Sequence, residues 1–525
     1  MERTSFIEAI KNSYGFSGPK IFLGAGVLKQ QILPEATVNL SLRMMTRHGL
    51  VTGATGSGKT RTLQLIAEQL SSAGVSVFMP DMKGDISGLA KEAVPNDKLT
   101  ERATAIGTTY TPSAFPVEIY SLTGKLGAQM RATVTEFGPI LLSKILELND
   151  TQTGVLTMLF KYADDHGLPI VDFKDLKKVL NYLTEGPGAD EIKSDYGKIS
   201  GSSAGTILRK IVALEQQGVD HIFGERSFEI DDLFEKVDGR GVISLLNVSD
   251  IQHQPAVFST FMLALLAEIY QSLPEAGDLD KPKLVFFLDE AHLLFKDAPK
   301  AFLDQIDQII RLIRSKGVGI FFCTQLTQDV PQNVLSQLGN RIHHVIRSFT
   351  PNDVKALRET INTFPRSSIY DMEQQFTQLG IGQAFITVLN DKGIPTETVV
   401  THLAPPASVM GPLSEQEYQQ LLSASDLYKK YKDTIDPQSA HELLEARMKQ
   451  YEAQNTSREI PVPTPRPRQT STTRTSTPRA PRKEKSTMDK VVGSPMAKQI
   501  GRELVRGVFG VLFGTTSRKS RRGIF

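Results

Sequence analysis

Gly53-Ala54-Thr55-Gly56-Ser57-Gly58-Lys59-Thr60 matches the phosphate-loop pattern G-x-x-x-x-G-K-[ST] at every fixed position. Its flanks supply the context such a loop needs. His48 to Thr52 is a short apolar strand candidate, and Leu63, Leu65, Ile66, Ala67 and Leu70 lay an apolar stripe along the segment after the loop, so the order is strand, glycine loop, helix. Gly53, Gly56 and Gly58 allow backbone conformations closed to other residues, which lets successive N–H groups turn inward around a polyphosphate at a helix N-terminus. Lys59 is then expected to reach the β- and γ-phosphates, and Thr60 to place its hydroxyl on Mg²⁺.

Further strands point at the same place. Val75 to Met79 reads as a buried strand running into Pro80-Asp81-Met82-Lys83-Gly84-Asp85. A carboxylate just past the C-terminal end of a parallel strand faces the crevice where ligands collect, which makes Asp81 and Asp85 site candidates; Asp near Gly is equally a common turn former. Leu284 to Leu288 is an unbroken apolar run ending in Asp289 and Glu290, as in a strand covered on both faces. Beside a phosphate loop it reads as the second half of a nucleotide hydrolase site, with Asp289 holding Mg²⁺ through water and Glu290 polarising the attacking water. The helix over Phe302 to Arg314 ends in Arg314-Ser315-Lys316-Gly317, where cations at the negative terminus and a glycine cap are the structural reading. Val318 to Thr324 forms another core strand and delivers the Gln325 amide to the same sheet edge as Asp289, within reach of a γ-phosphate and the attacking water.

Around this centre, residues 1–45 contain two strand-like runs, Ile21 to Leu23 and Val38 to Leu42, and read as a lead-in with a small hairpin. The stretch at about 100–240 is mostly helical in pattern, with candidate helices at 126–148, 152–164, 173–184 and 203–217, an insertion between strands of one sheet. Gly382 to Leu389 and Thr396 to Leu403 read as a hairpin closing a core of 46–405. A charged helical extension, opened by the capping box Ser414-Glu415-Gln416-Glu417, spans 406–454. Residues 455–490, rich in Pro, Thr, Ser and Arg, are expected to be a disordered linker. At 491–525 the apolar stripe Ile500, Leu504, Val505, Val508, Phe509, Leu512 and Phe513 with flanking cations predicts a basic amphipathic helix. It suits docking on a neighbouring subunit, an anionic membrane surface or nucleic acid phosphates.

The 525 residues allow two to four domains. From Asn455 onward the net charge is +12 and the preceding body carries −10, so the basic element is the tail. No run of 18 apolar residues exists, and Met1 to Ser5 lacks the pattern of a secretory signal; a cytoplasmic location is expected. The single cysteine, Cys323, excludes an intrachain disulfide and a cysteine-based zinc site, and its apolar surroundings suit a buried thiol.

Taken together, His48 to Thr60, Val77 to Asp85, Gly138 to Leu156, Val285 to His292, Arg314 to Gly319 and Thr324-Gln325 resemble the HerA/FtsK superfamily of hexameric motor ATPases, and within it the HerA-like proteins of the YjgR type. The resemblance covers roughly residues 40–405 and a basic, glycine-containing C-terminal end. It implies a RecA-like, mainly parallel sheet with ATP and Mg²⁺ at subunit boundaries of a homo-oligomer, a hexamer in the family. By position it implies Gly53 to Thr60 for the nucleotide, Thr60 and Asp289 for the metal, Glu290 for the water, Gln325 as a sensor, and Arg314 as the arginine given to a neighbour's γ-phosphate. DNA translocation or a helicase-like activity is the implied function, with DNA and a nuclease or other protein as partners. A scaffold or switch acting on proteins or at the membrane surface is the alternative that the tail raises. Family members resemble one another in a β-barrel before the motor, for which about 45 residues are too few.

Overall fold

The computed structural model describes residues 1–295, 300–347 and 350–456. Met1–Glu452 form one unit and Ala453–Phe525 belong to a second. The expected linker and amphipathic tail, beyond the end of the helix Ala440–Thr456, lie outside the described residues.

The strands in chain order are β1 (Lys20–Leu28), β2 (Gln31–Ser41), β3 (Gly49–Thr52), β4 (Ser76–Asp81), β5 (Val117–Ser121), β6 (Ala128–Gln129), β7 (Lys236–Val237), β8 (Arg240–Gly241), β9 (Ile243–Asn247), β10 (Leu284–Leu288), β11 (Val318–Thr324), β12 (Asn340–His343), β13 (Gln383–Thr387) and β14 (Val399–Leu403). All but β7 and β8 form one sheet in the order β2-β1-β14-β13-β12-β3-β11-β10-β4-β9-β5-β6. From β12 through β6 every neighbouring pair is parallel. From β12 back to β2 every pair is antiparallel. The mainly parallel α/β sheet is therefore present, and the first 41 residues contribute its outer strands, β1 pairing with β14 through Gly24, Ala25 and Gly26.

Central strands need unbroken apolar sequence because both faces are covered. In β10, Leu284, Phe286 and Leu288 join the cluster under the helical side, while Val285 and Phe287 join the cluster under the phosphate-loop helix Lys59–Ser72. That helix supplies Leu63, Ile66, Ala67 and Leu70, the stripe seen in the sequence. The helical side is built by Pro255–Ser272, Lys300–Ile313 and the insertion, Val134–Ile145, Asp150–Asp165, Phe173–Thr184, Ala189–Asp195 and Gly201–Gln216. The helical stretch expected at about 100–240 is shorter than that: Val117–Ser121 within it is β5 of the main sheet, and its first candidate helix begins later than the apolar pattern from 126 suggests. Residues 128–129 are taken by β6, and Thr133 is a helix cap: its hydroxyl accepts from the Glu136 N–H at 3.1 Å while Glu136 accepts from the Thr133 N–H at 2.7 Å.

The extension after β14 is strapped to the body at both ends. Glu68 of the phosphate-loop helix accepts from the Ala407 and Ser408 N–H groups at 2.8 and 3.0 Å. Further on, the helices Glu415–Ala424 and Asp426–Lys432 follow, the first capped by Ser414 as expected. Tyr431 is fully buried and donates to Asp232, and Lys430 donates to Glu229 and Asp232 at 3.0 and 2.8 Å.

His48 locks the entry to β3. Its Nδ1 accepts from the Ile320 N–H at 3.0 Å, so Nε2 carries the proton and donates to the Ile310 carbonyl at 2.8 Å. A second proton would set two N–H groups against each other. Burial, followed by the nearby Arg314 and Arg47 charges, lowers its pKa to about 4; burial likewise lowers buried His343 to about 4 and His344 to about 3. These folded-state values lie below the unfolded one of about 6.5. Their stabilisation is thus complete above pH 6.5 and lost as pH falls through 6.5 toward 4. Chemical denaturation across pH 8 to 4 should show a plateau above neutrality and a loss of up to about 2 kcal/mol per buried histidine by pH 5. His48→Asn should flatten that slope, and a pH-independent midpoint would contradict the assignment.

Candidate functional site

The loop Gly53–Gly58 leaves the C-terminal end of β3 and enters the helix Lys59–Ser72. Gly53, Gly56 and Gly58 have φ of 145°, 76° and 109°. At Gly53 a Cβ would also lie 2.5 Å from the His344 Cβ, so glycine is required there twice over. The loop is held from the β12 side: the Ala54 N–H donates to the Val345 carbonyl at 2.9 Å, the Gly382 N–H donates to the Ser57 carbonyl at 3.2 Å, and His344 Nε2 pairs with the Thr62 hydroxyl at 2.9 Å.

Lys59 bends back over its own loop and donates to the Gly53 and Ala54 carbonyls at 2.7 and 3.2 Å. Neutral carbonyls hold this ammonium, and no ion pair of Lys59 occurs among the described residues. The hydroxyls of Thr52 and Ser57 are buried without a hydrogen-bond partner among the described residues, an arrangement that leaves polar groups for something else to satisfy. A cavity of about 400 Å³ opens beside the loop, lined by Gly56, Ser57, Val345, Arg347, Leu379 and Ile381 among others.

Register carries the second half of the site to this point. Thr52 of β3 is abreast of Thr324 of β11, and Phe322 of β11 is abreast of Leu288 of β10. The ends of β3 and β10 are therefore two strand spacings apart, about 10 Å. Cys323, between them and fully buried, senses both halves: burial pushes its thiol well up, the Asp289 carboxylate adds to that rise, and the Lys59 ammonium opposes it. Asp289 accepts from the Glu290 N–H at 2.9 Å. Glu290 has φ of 49°, a left-handed conformation uncommon outside glycine and concentrated at functional sites, and its carboxylate lies 3.5 Å from His292 Nδ1. Gln325 is exposed directly after β11.

Other sequence candidates sit differently. Asp81 is buried and accepts from the N–H groups of Lys83, Gly84, Asp85 and Ile86 at 2.7 to 3.2 Å; burial raises its pKa. It is a turn former, the structural alternative. Asp85 remains partly exposed and electrostatically supports Arg61 of the phosphate-loop helix.

Arg314 lies in a turn ahead of β11, at the opposite edge of the sheet from Lys59 and Asp289. Seven strand residues, about 23 Å, separate the two edges. Arg314 is exposed; burial of part of its surface and the nearby Arg47 lower its pKa. Lys316 is instead occupied, 2.9 Å from Glu275 and over the Tyr270 ring at 5.2 Å. Arg47 and His344 were not candidates from sequence: a lone arginine before a strand and a histidine after one carry no pattern, and only the pairing of β3 with β11 and β12 gives them meaning.

The model of the helicase HerA-like C-terminal family matches residues 27–519. The chain belongs to that family. It thereby joins the HerA/FtsK superfamily of P-loop ATPases. Similar proteins include the DNA double-strand break repair helicase HerA of Sulfolobus acidocaldarius, 22% identical over 370 residues that cover 66% of this chain and 64% of the relative. The protein of the same description from Sulfurisphaera tokodaii is 23% identical over 361 residues, 67% of this chain and 64% of the relative. This HerA-like chain thus spans a little under two-thirds of the length of those relatives. Among solved structures, the bacterial conjugative coupling protein TrwBdeltaN70 is 15% identical with a TM-score of 0.48, covering 77% of this chain and 94% of the other. No helix among the described residues of the HerA-like chain is long and apolar enough to cross a membrane.

Gly53→Ala tests the loop geometry. With a positive φ and the His344 contact, it should cost about 1–3 kcal/mol of stability and weaken binding of an ATP analogue at least about tenfold, or 1.4 kcal/mol. Calorimetric titration beside thermal unfolding would show both; wild-type affinity would contradict the geometry.

Proposed function

We propose that the HerA-like chain is a Mg²⁺-dependent ATP hydrolase that works as an oligomeric ring motor on DNA. The observation that carries the first part is the meeting of the phosphate loop and the Asp289–Glu290 pair at one sheet edge, two strand spacings apart with Cys323 buried between them. Lys59 would exchange the Gly53 and Ala54 carbonyls for the β- and γ-phosphate oxygens, and the loop N–H groups would meet the phosphate chain. Thr60 and Asp289 offer the hard oxygen donors that magnesium prefers, and they would hold it. Magnesium, when bound, would supply positive charge against the negative charge of the phosphate chain. Glu290, oriented by the His292 contact, would take the proton of the attacking water. Gln325 would bond that water and the γ-phosphate. The cavity beside the loop suits the nucleoside half, with Leu379 and Ile381 as apolar walls.

Assembly is supported by the position of Arg314. It is too far from its own site to reach a γ-phosphate, whereas a neighbour presenting the opposite sheet edge would bring it there, with Arg47 beside it. A cation delivered in this way stabilises the charge gathered in the transition state and ties hydrolysis to subunit packing. DNA as the substrate is supported by family membership and by relatives described as DNA double-strand break repair helicases.

Turnover assays test the two parts separately. Lys59→Ala and Glu290→Gln should each reduce ATP turnover by about 10²-fold or more, and duplex DNA should stimulate the wild type. Turnover that survives Lys59→Ala would contradict the hydrolase site. Loss of turnover in Lys59→Ala with no DNA binding at low salt and no stimulation would contradict only the DNA motor and favour action on protein partners or at a membrane surface.

A further inference from the structure

The turn ending at Gly382 touches the phosphate loop on one side and a cation on the other. Its N–H donates to the Ser57 carbonyl at 3.2 Å, and a Cβ at Gly58 would lie 3.4 Å from the Gly382 nitrogen. Its carbonyl accepts from Arg102 Nη2 at 2.6 Å, while Arg102 Nε donates to the Leu403 carbonyl at 2.9 Å. Gly382 has φ of 71°, and a Cβ there would come 2.3 Å from Arg102 Nη2, so the guanidinium occupies space that only glycine leaves.

This guanidinium is partly withdrawn from water, yet it forms no ion pair among the described residues; its hydrogen bonds are to two carbonyls. The neighbouring His402 adds no second positive charge at neutral pH, since burial and then Arg102 itself lower that imidazole to about 4. Arginine so placed usually faces an anion. The anion that would come closest is the phosphate chain in the adjoining loop. A merely structural role, pinning β13 to β14 from the helix Asp97–Ala105, would account for the two hydrogen bonds but not for the missing carboxylate.

We propose that Arg102 is a positioning residue for nucleotide binding, which fixes Gly382 against Ser57 and adds an uncompensated positive charge behind the phosphate loop. The inference rests on the nucleotide-hydrolase reading above and extends it to a residue from outside the phosphate-loop and Asp289–Glu290 segments. Arg102 touches no reacting atom, so it acts on affinity and leaves the chemical step alone.

Binding of a fluorescent ADP analogue to the full chain, beside steady-state kinetics and thermal unfolding, tests it with four proteins: wild type, Lys59→Ala, Arg102→Lys and Arg102→Met. Arg102→Met should raise Kd about tenfold and Arg102→Lys about threefold, because an ammonium keeps the charge but cannot span both carbonyls. In both, KM for ATP should rise while kcat at saturation stays within about twofold of wild type. Where Arg102→Met does not fold, Arg102→Lys decides. A folded Arg102→Lys with wild-type Kd, or a fall in kcat at unchanged KM, overturns the proposal. A wild type that does not bind ADP, or that binds it equally after Lys59→Ala, overturns the nucleotide reading and this inference with it.

Discussion

A strand covered by apolar layers on both faces can present a polar side chain only where it ends. In this protein that constraint acts on β3, β11 and β10 together, because they are parallel neighbours whose C-terminal ends lie at one edge. The phosphate loop lies more than two hundred residues before the Asp289–Glu290 pair and Gln325, and the shared edge gathers them without any further device. The buried layer between them is mostly apolar, with Thr52, Thr324 and the Cys323 thiol as its polar groups near the edge, so charges at the edge act on one another through a medium that screens poorly.

The same parallel arrangement sets Arg314 apart from that edge. Each crossover returns the chain to the far edge before the next strand begins, and the helix Lys300–Ile313 leaves Arg314 there. Arg47, in the turn before β3, arrives at that edge for the same reason. One chain therefore has its phosphate loop and the Asp289–Glu290 pair at one edge, and the exposed Arg314 and half-buried Arg47 at the other, a division that head-to-tail contact between identical copies would resolve, closing into a ring where the rotation allows.

Much of this was legible in the sequence because the residues concerned obey strong local rules. The loop glycines have conformations that their spacing predicts, β10 and β11 are as apolar as doubly covered strands must be, and Ser414 caps the helix it was expected to cap. What was not legible depends on pairing between distant segments. Nothing in the sequence around His344 says that it backs Gly53, and Asp81 looks like a site carboxylate until its four backbone hydrogen bonds are seen. The helical insertion began late for a related reason: Thr133 and Glu136 fix the start through a reciprocal cap, which outweighs an apolar pattern that continues upstream into β6. The role of the tail from 457 onward lies outside the described residues.

We propose that a working site is divided between two copies of the chain. The most direct test mixes two inactive variants, Arg314→Ala and Glu290→Gln, after each is shown to assemble. Where an Arg314→Ala subunit supplies the phosphate-binding edge and a Glu290→Gln subunit the opposite one, every group is intact, so mixing should restore ATP turnover above that of either variant alone. Assembly of the mixture with no restored turnover would contradict the account and leave Arg314 as the cap of its own helix.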